Sequence, residues 1–153
     1  MQASFLEYME ENQIQQLSLR QIRQHVFSLV YNLGFYDDSE FEDVAERYVL
    51  TQDIDDPAQQ RQIRDKALAV MEKRHEIDAL IDSRSDHWKT ERMAKVDLAI
   101  IRVAAYEMAD DDEVPVKVAI NEAVRLAKKY SSEQSPAFVN GVLAAILPDK
   151  TEE

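Results

Sequence analysis

Glycine and proline are scarce in this chain, and that scarcity limits the possible folds more than any other feature. Only two glycines and four prolines occur in 153 residues, too few for the turns of a many-stranded sheet. Alanine, leucine, glutamate, glutamine, lysine and arginine, which favour helices, are frequent. With 45% apolar and 31% charged residues the chain can also bury a core. The sequence therefore predicts an all-α fold.

Apolar residues recur at helical spacing along most of the chain. Ser18 is expected to cap a helix that ends near Asn32. Further helices are predicted over residues 39–50, 57–81, 86–96, 97–108, from 115 and from 135, with Ser39, Asp86 and Ser135 as caps and Pro57, Pro115 and Pro136 at helix starts. The Asn140-Gly141 pair is also a hairpin signal, but the apolar spacing of this last segment favours a helix.

These helices are expected to form one domain over residues 1–153, made of two packed three-helix halves. The predicted parts are an N-terminal extension over 1–17 that could be mobile, a first helical half over 18–82, a second helical half over 83–147 and a short tail over 148–153.

The net charge of −12 is unevenly distributed. Nine of the carboxylates lie between Asp37 and Asp56, where Arg47 is the single basic residue. Such a tract is usually a solvated helix face, and the alternative is a surface that binds a basic protein. A negative total argues against nucleic acid, because phosphate binding normally depends on lysine and arginine.

Two local regions have the opposite character. Residues 12–36 contain no acidic side chain but include Arg20, Arg23 and His25, and residues 114–132 carry four basic side chains against Glu122. At 100° per residue, the predicted first helix places Arg20, Arg23, Phe27 and Tyr31 together on an arc beside its buried stripe. Basic and aromatic side chains therefore share one flank of this helix.

The chain offers little for catalysis. It has no cysteine, no glycine-rich phosphate loop and no glycine-flanked serine, so we expect neither an enzyme nor a cofactor. The Glu72 to His75 spacing matches half of a di-iron site, but a second such pair is missing and no metal is expected. Without an export signal or a membrane-length apolar run, the expected location is the cytoplasm.

Several large side chains in the second half are expected to be structural. Trp88, Tyr106 and Tyr130 are predicted to be core residues. Arg92 and Arg102 lie among apolar residues and therefore need carboxylate partners, for which Asp97 and Glu107 are the candidates.

The second half carries a family resemblance. It has Trp88 followed by the segments VDLAIIR at 96–102, AYE at 105–107, VPVKVAINEA at 114–123, LAK at 126–128 and FVNGVL at 138–143. These segments, in this order and spacing, resemble the NusB family of transcription antitermination factors. The resemblance covers about 60 residues, and because the chain ends soon afterwards we expect a stand-alone factor.

The resemblance implies a function as well as a fold. NusB proteins are adaptors that bind boxA-type single-stranded RNA jointly with the ribosomal protein NusE, on an elongating RNA polymerase with other Nus factors. It implies that Arg20, Arg23 and Tyr31 contact RNA, together with Gln134 and Phe138 at the start of the last helix. The family's arginine stretch is reduced to two here, so NusE could supply positive surface. The alternative is a protein–protein adaptor that uses its acidic tract and binds little RNA itself.

Overall fold

The structure, a computed structural model, describes residues 4–7, 14–84 and 86–148. The principal helices are α1 (Leu19–Leu33), α2 (Phe41–Thr51), α3 (Pro57–Glu72), α4 (Arg74–Arg84), α5 (Lys95–Asp110), α6 (Val116–Tyr130) and α7 (Ser135–Ala145). Two 3₁₀ turns, Asp38–Glu40 and Thr90–Arg92, precede α2 and α5. These described ranges contain no β-strand, which confirms the all-α prediction.

The cap of α1 is the one predicted from the sequence. The Ser18 hydroxyl accepts a hydrogen bond from the Gln21 backbone N–H at 3.2 Å, and the Gln21 side chain accepts from the Ser18 N–H at 2.8 Å. Two N–H groups at the helix start are thereby satisfied. The predicted inward stripe of α1 is buried along its whole length: Ile22, Val26, Leu29, Val30 and Leu33.

The helices form two bundles that share one hydrophobic core. Helices α1, α2 and α3 pack together, as do α5, α6 and α7, and α1 also lies against α5. Ile63 of the first bundle and Ile101 of the second are both completely buried in the same apolar cluster. The two packed halves predicted from the sequence are therefore confirmed.

The single long helix predicted over 57–81 is wrong, because the chain bends at Lys73 and continues as α4. Lys73 has φ −91° and ψ 0°, outside helical geometry. Beyond the bend, Ile77 and Ile81 are buried, and α4 packs against α5 and α7. Apolar periodicity continues through the bend, so it could not reveal a change of packing partner. Glu72 and His75 consequently lie on different helices.

The other three predicted caps also differ from the structure. Ser135 is the first residue of α7, and the residue at its cap position is Gln134. Ser39 lies inside the 3₁₀ turn, and α2 begins only at Phe41. The helix predicted over 86–96 is reduced to the Thr90–Arg92 turn, where Asp82 accepts hydrogen bonds from the Thr90 backbone N–H at 2.8 Å and its hydroxyl at 3.1 Å. A carboxylate from α4 thus satisfies a backbone N–H that a continuous α-helix would otherwise satisfy, and it also accepts from the threonine hydroxyl.

The choice of a helix over a hairpin at Asn140-Gly141 is confirmed, since both residues lie within α7. Gly141 faces the Trp88 ring, and a Cβ atom added there would lie 3.9 Å from it, at ordinary van der Waals distance. No close backbone approach requires a glycine at this position.

We therefore expect Gly141→Ala to stabilise the protein. The substitution removes the helix-interior penalty of glycine, about 1 kcal/mol, and lets the new methyl group touch Trp88. Urea denaturation should show a higher midpoint with an unchanged slope. A lower midpoint would mean that Trp88 cannot accommodate the methyl group.

Residues before α1 are held against the start of α3. The Gln59 side chain accepts from the Leu17 N–H at 3.0 Å and donates to the Leu17 carbonyl at 3.1 Å. Gln16 donates to Asp56 at 2.7 Å. Nine of the residues in the extension predicted over 1–17 lie outside the described ranges, and of the described ones residues 15–17 are held by hydrogen bonds to Asp55, Asp56 and Gln59. Across the described residues, none of the helices has the length and apolar content needed to span a membrane.

Candidate nucleic-acid interface

The basic and aromatic arc predicted on α1 lies where the two bundles meet. Its two middle members are covered, since the Phe27 ring packs on the Tyr130 ring of α6 with centroids 5.5 Å apart and Arg23 points between the bundles. Arg20, at the start of the helix, has a side chain that is 68% exposed. The structure therefore separates the predicted RNA-binding arc into an interface part and an open part.

Arg23 is held by carboxylates from the second bundle. Its Nε lies 3.1 and 3.3 Å from the two Glu107 carboxylate oxygens, and its Nη1 lies 3.9 Å from Glu122. The side chain of Arg23 is only 11% exposed and that of Glu107 only 1%. A guanidinium that approaches both oxygens of one buried carboxylate holds α1 against α5 with defined geometry.

Glu107 has a second cation partner. The Lys66 ammonium on α3 donates to Glu107 at 2.7 Å and to Asp111 at 3.1 Å. One buried carboxylate on α5 thus binds cations from α1 and from α3. Since buried charge is costly unless it is paired, this arrangement depends on both bundles being docked.

Three arginines lie close to the Glu122 carboxylate on α6. Arg20 approaches it at 3.2 Å, Arg125 at 3.0 Å and Arg23 at 3.9 Å. Burial acts to raise the pKa of Glu122, but the hydrogen bond from Arg125 and the positive charges of Arg125, Arg20 and Arg23 outweigh it and lower the pKa. Glu122 is therefore ionised at neutral pH, and Arg20 can leave it without stranding the carboxylate.

Tyr31 lies toward the other end of α1. Eleven residues separate it from Arg20, which corresponds to about 16 Å along a helix axis. Its half-buried ring makes an edge contact with Phe35, centroids 5.2 Å apart, and lines a cavity of about 160 Å³ together with Lys95 and Arg102. Arg20 and Tyr31 thus share a helix but not a local site.

Gln134 and Phe138 lie together at the start of α7. They line an open cavity of about 270 Å³ with Trp88, Lys89 and Arg92. The Trp88 and Phe138 rings meet edge to face, with centroids 6.5 Å apart. Gln134 is exposed, while Phe138 and Trp88 are half-buried, so this cavity offers aromatic surface and polar groups to a ligand.

A buried carboxylate fixes the start of α7. Asp97 accepts hydrogen bonds from the Ser131 hydroxyl at 2.6 Å and the Ser135 hydroxyl at 3.0 Å. Both serines flank Gln134, so Asp97 positions the rim of the cavity. The carboxylate also lies near a helix N-terminus, where negative charge is favourable.

Three of the structural predictions for this half are wrong. Arg102 pairs with Asp78 of α4, through distances of 3.0 and 2.6 Å, and not with Asp97 or Glu107. Arg92 is exposed at the cavity rim. Tyr130, predicted to be core, is 39% exposed. The partner of Arg102 lies on a different helix, and the exposure of Arg92 and Tyr130 depends on how the helices pack, which local spacing cannot indicate.

Comparisons with known proteins are consistent with one another. The family model described as "NusB family" matches residues 20–148. The transcription antitermination protein NusB of Agathobacter rectalis is 51% identical over 125 residues, covering 80% of this chain and 94% of the relative. That of Lachnoclostridium phytofermentans is 42% identical over 131 residues, covering 86% and 99%. A NusB structure from T. maritima superposes with a TM-score of 0.78 at 28% identity, covering 90% of this chain and 95% of that one.

Proposed function

Because this chain belongs to the NusB family, we propose that it is a transcription antitermination factor that binds boxA-type single-stranded RNA together with the ribosomal protein NusE. In this role it joins RNA polymerase and other Nus factors during ribosomal RNA transcription. The observation that carries the RNA-binding part is Arg20, whose guanidinium is largely exposed at the start of the acid-free helix α1.

A second group of contacts is proposed at the start of α7. Gln134 can donate and accept hydrogen bonds at a base edge, and Phe138 with Trp88 offers ring surface beside Lys89 and Arg92. Single-stranded RNA is commonly bound through bases on aromatic side chains and phosphates on basic ones.

Tyr31 and Arg23, the other two residues that the resemblance implies as RNA contacts, differ in their exposure. Tyr31 has a partly open ring and lies beside Lys95, which suits a base and a neighbouring phosphate. Arg23 is assigned a positioning role, because its guanidinium is engaged by Glu107 and Glu122. With few open basic groups and a net charge of −12, the chain is expected to rely on NusE for further positive surface.

The test is Arg20→Glu, measured by the anisotropy of labelled boxA RNA with NusE present. We expect affinity to fall roughly tenfold, because a phosphate contact becomes a repulsion. The salt slope, meaning the slope of log affinity against log salt concentration, should become shallower by about 0.7, the value for one phosphate contact to a single strand. Arg61→Glu is the matched control, since Arg61 is exposed on α3. Unchanged affinity in a folded Arg20→Glu variant would exclude Arg20 as a contact.

One observation favours a protein–protein adaptor as the second candidate. The groove between α2 and α3 is lined by Asp38, Glu42, Asp65 and Glu72 over Phe41 and Leu68. At one end the Arg74 guanidinium already lies 5.0 Å from the Phe41 ring centroid and pairs with Asp38, which is how a partner's arginine would bind. The two candidates separate in the isolated chain, since only direct RNA binding gives RNA affinity that falls steeply with salt.

A further inference from the structure

The structure brings the two positive segments of the sequence together. On α6, Glu122, Arg125 and Lys129 are three and four residues apart, so they lie on one helix face. This face is turned toward α1, because Arg20 pairs with Glu122 and Lys129 donates to Gln24 at 3.1 Å. Segments about 100 residues apart in sequence thus form one surface.

Lys129 keeps its charge available on that surface. Its hydrogen-bond partner, Gln24, is a neutral amide, so the hydrogen bond holds the ammonium in place without compensating its charge. Lys129 is exposed, and its ammonium lies 5.2 Å from the Tyr130 ring centroid. Arg125, by contrast, is largely engaged by Glu122.

Tyr130 is a half-open aromatic ring beside this ammonium. The Phe27 ring supports it from within the interface, with centroids 5.5 Å apart, yet 39% of Tyr130 is exposed. A ring fixed on one side and open on the other can stack on a base at small entropic cost.

The positions of Lys129 and Tyr130 matter as much as the chemistry of their side chains. Lys129 follows Glu122, the partner of Arg20, by seven residues, or about 10 Å along α6. Tyr130 precedes Gln134 by four residues, across the turn that Asp97 holds through Ser131 and Ser135. Lys129 and Tyr130 therefore lie between the two groups of proposed RNA contacts.

We infer that a single RNA strand crosses the seam between α1 and α6, with phosphates bound by Arg20 and Lys129, a base stacked on Tyr130, and the strand continuing to the cavity of Trp88 and Phe138. This path rests on the proposed RNA-binding function and adds Lys129 and Tyr130 to it. Sequence spacing alone assigned neither residue to RNA, because their proximity to α1 is a tertiary feature.

The experiment compares Lys129→Glu and Tyr130→Leu with Lys117→Glu, using labelled boxA RNA and NusE. Lys117 is an exposed lysine near the opposite end of α6, so its reversal is the matched control. We expect Lys129→Glu to weaken binding about tenfold with a salt slope shallower by about 0.7. Tyr130→Leu, which keeps apolar cover over Phe27, should weaken it about 5- to 100-fold with an unchanged slope.

The outcomes distinguish this path from the proposed function. If wild type binds RNA and Arg20→Glu weakens binding, but Lys129→Glu and Tyr130→Leu behave like Lys117→Glu, the path over the seam is wrong while RNA binding stands. If wild type with NusE does not bind boxA RNA, both proposals fail. Thermal melting of each variant verifies that the changes reflect binding by folded protein.

Discussion

Replacing Glu107 by glutamine is expected to lower the free energy of unfolding by about 3 kcal/mol, one of the largest effects of any single substitution in this chain. Glutamine has nearly the same shape, so no cavity forms. The loss arises because Arg23 and Lys66, with side chains 11% and 21% exposed, keep their charges but lose the carboxylate between them. For a chain of this size the melting temperature should fall by about 6 to 12 °C.

The matched control is Asp111→Asn, which removes the other carboxylate partner of Lys66. Asp111 has a side chain that is 24% exposed, and its loss leaves Lys66 paired with Glu107. The expected cost is below about 1 kcal/mol. Equal losses in the two variants, measured by urea denaturation, would contradict the view that Glu107 is the main ionic link between the bundles.

The sequence predicted those features that depend on neighbouring residues. The cap at Ser18, the buried stripe of α1 and the helical form of α7 all follow from local patterns, and the structure has them. Features set by distant residues were not predictable in the same way. The bend at Lys73 reflects where α4 packs, and its apolar periodicity is continuous across the bend.

In the candidate site, too, the features set by neighbouring residues were predictable and those set by distant residues were not. The acid-free segment predicted a basic and aromatic flank on α1, and the exposed Arg20 lies there. Helical geometry could not indicate which part of the arc faces the second bundle, because the partner carboxylates Glu107 and Glu122 are 84 and 102 residues away from their arginines in sequence. Tyr130 could not be recognised as a half-open ring for the same reason, because the ring that supports it, Phe27, lies on α1.

Replacing Arg23 by glutamine is expected to destabilise the protein by about 3 kcal/mol while leaving the RNA affinity of the folded fraction unchanged. Removal of its guanidinium leaves Glu107 with Lys66 alone and takes one of three arginines from Glu122. The cost is large because both carboxylates are buried. Urea denaturation gives the stability, and RNA titration with NusE at a temperature well below melting gives the affinity.

The companion variant Arg20→Gln should behave in the opposite way. Its side chain is 68% exposed and Glu122 retains Arg125 and Arg23, so stability should change by less than about 1 kcal/mol, while RNA binding weakens. Two arginines three residues apart on one helix would then have separate roles, one joining the bundles and one binding phosphate. If instead Arg23→Gln keeps its stability and loses RNA affinity, Arg23 must leave its buried carboxylates to bind RNA, and the positioning role is wrong.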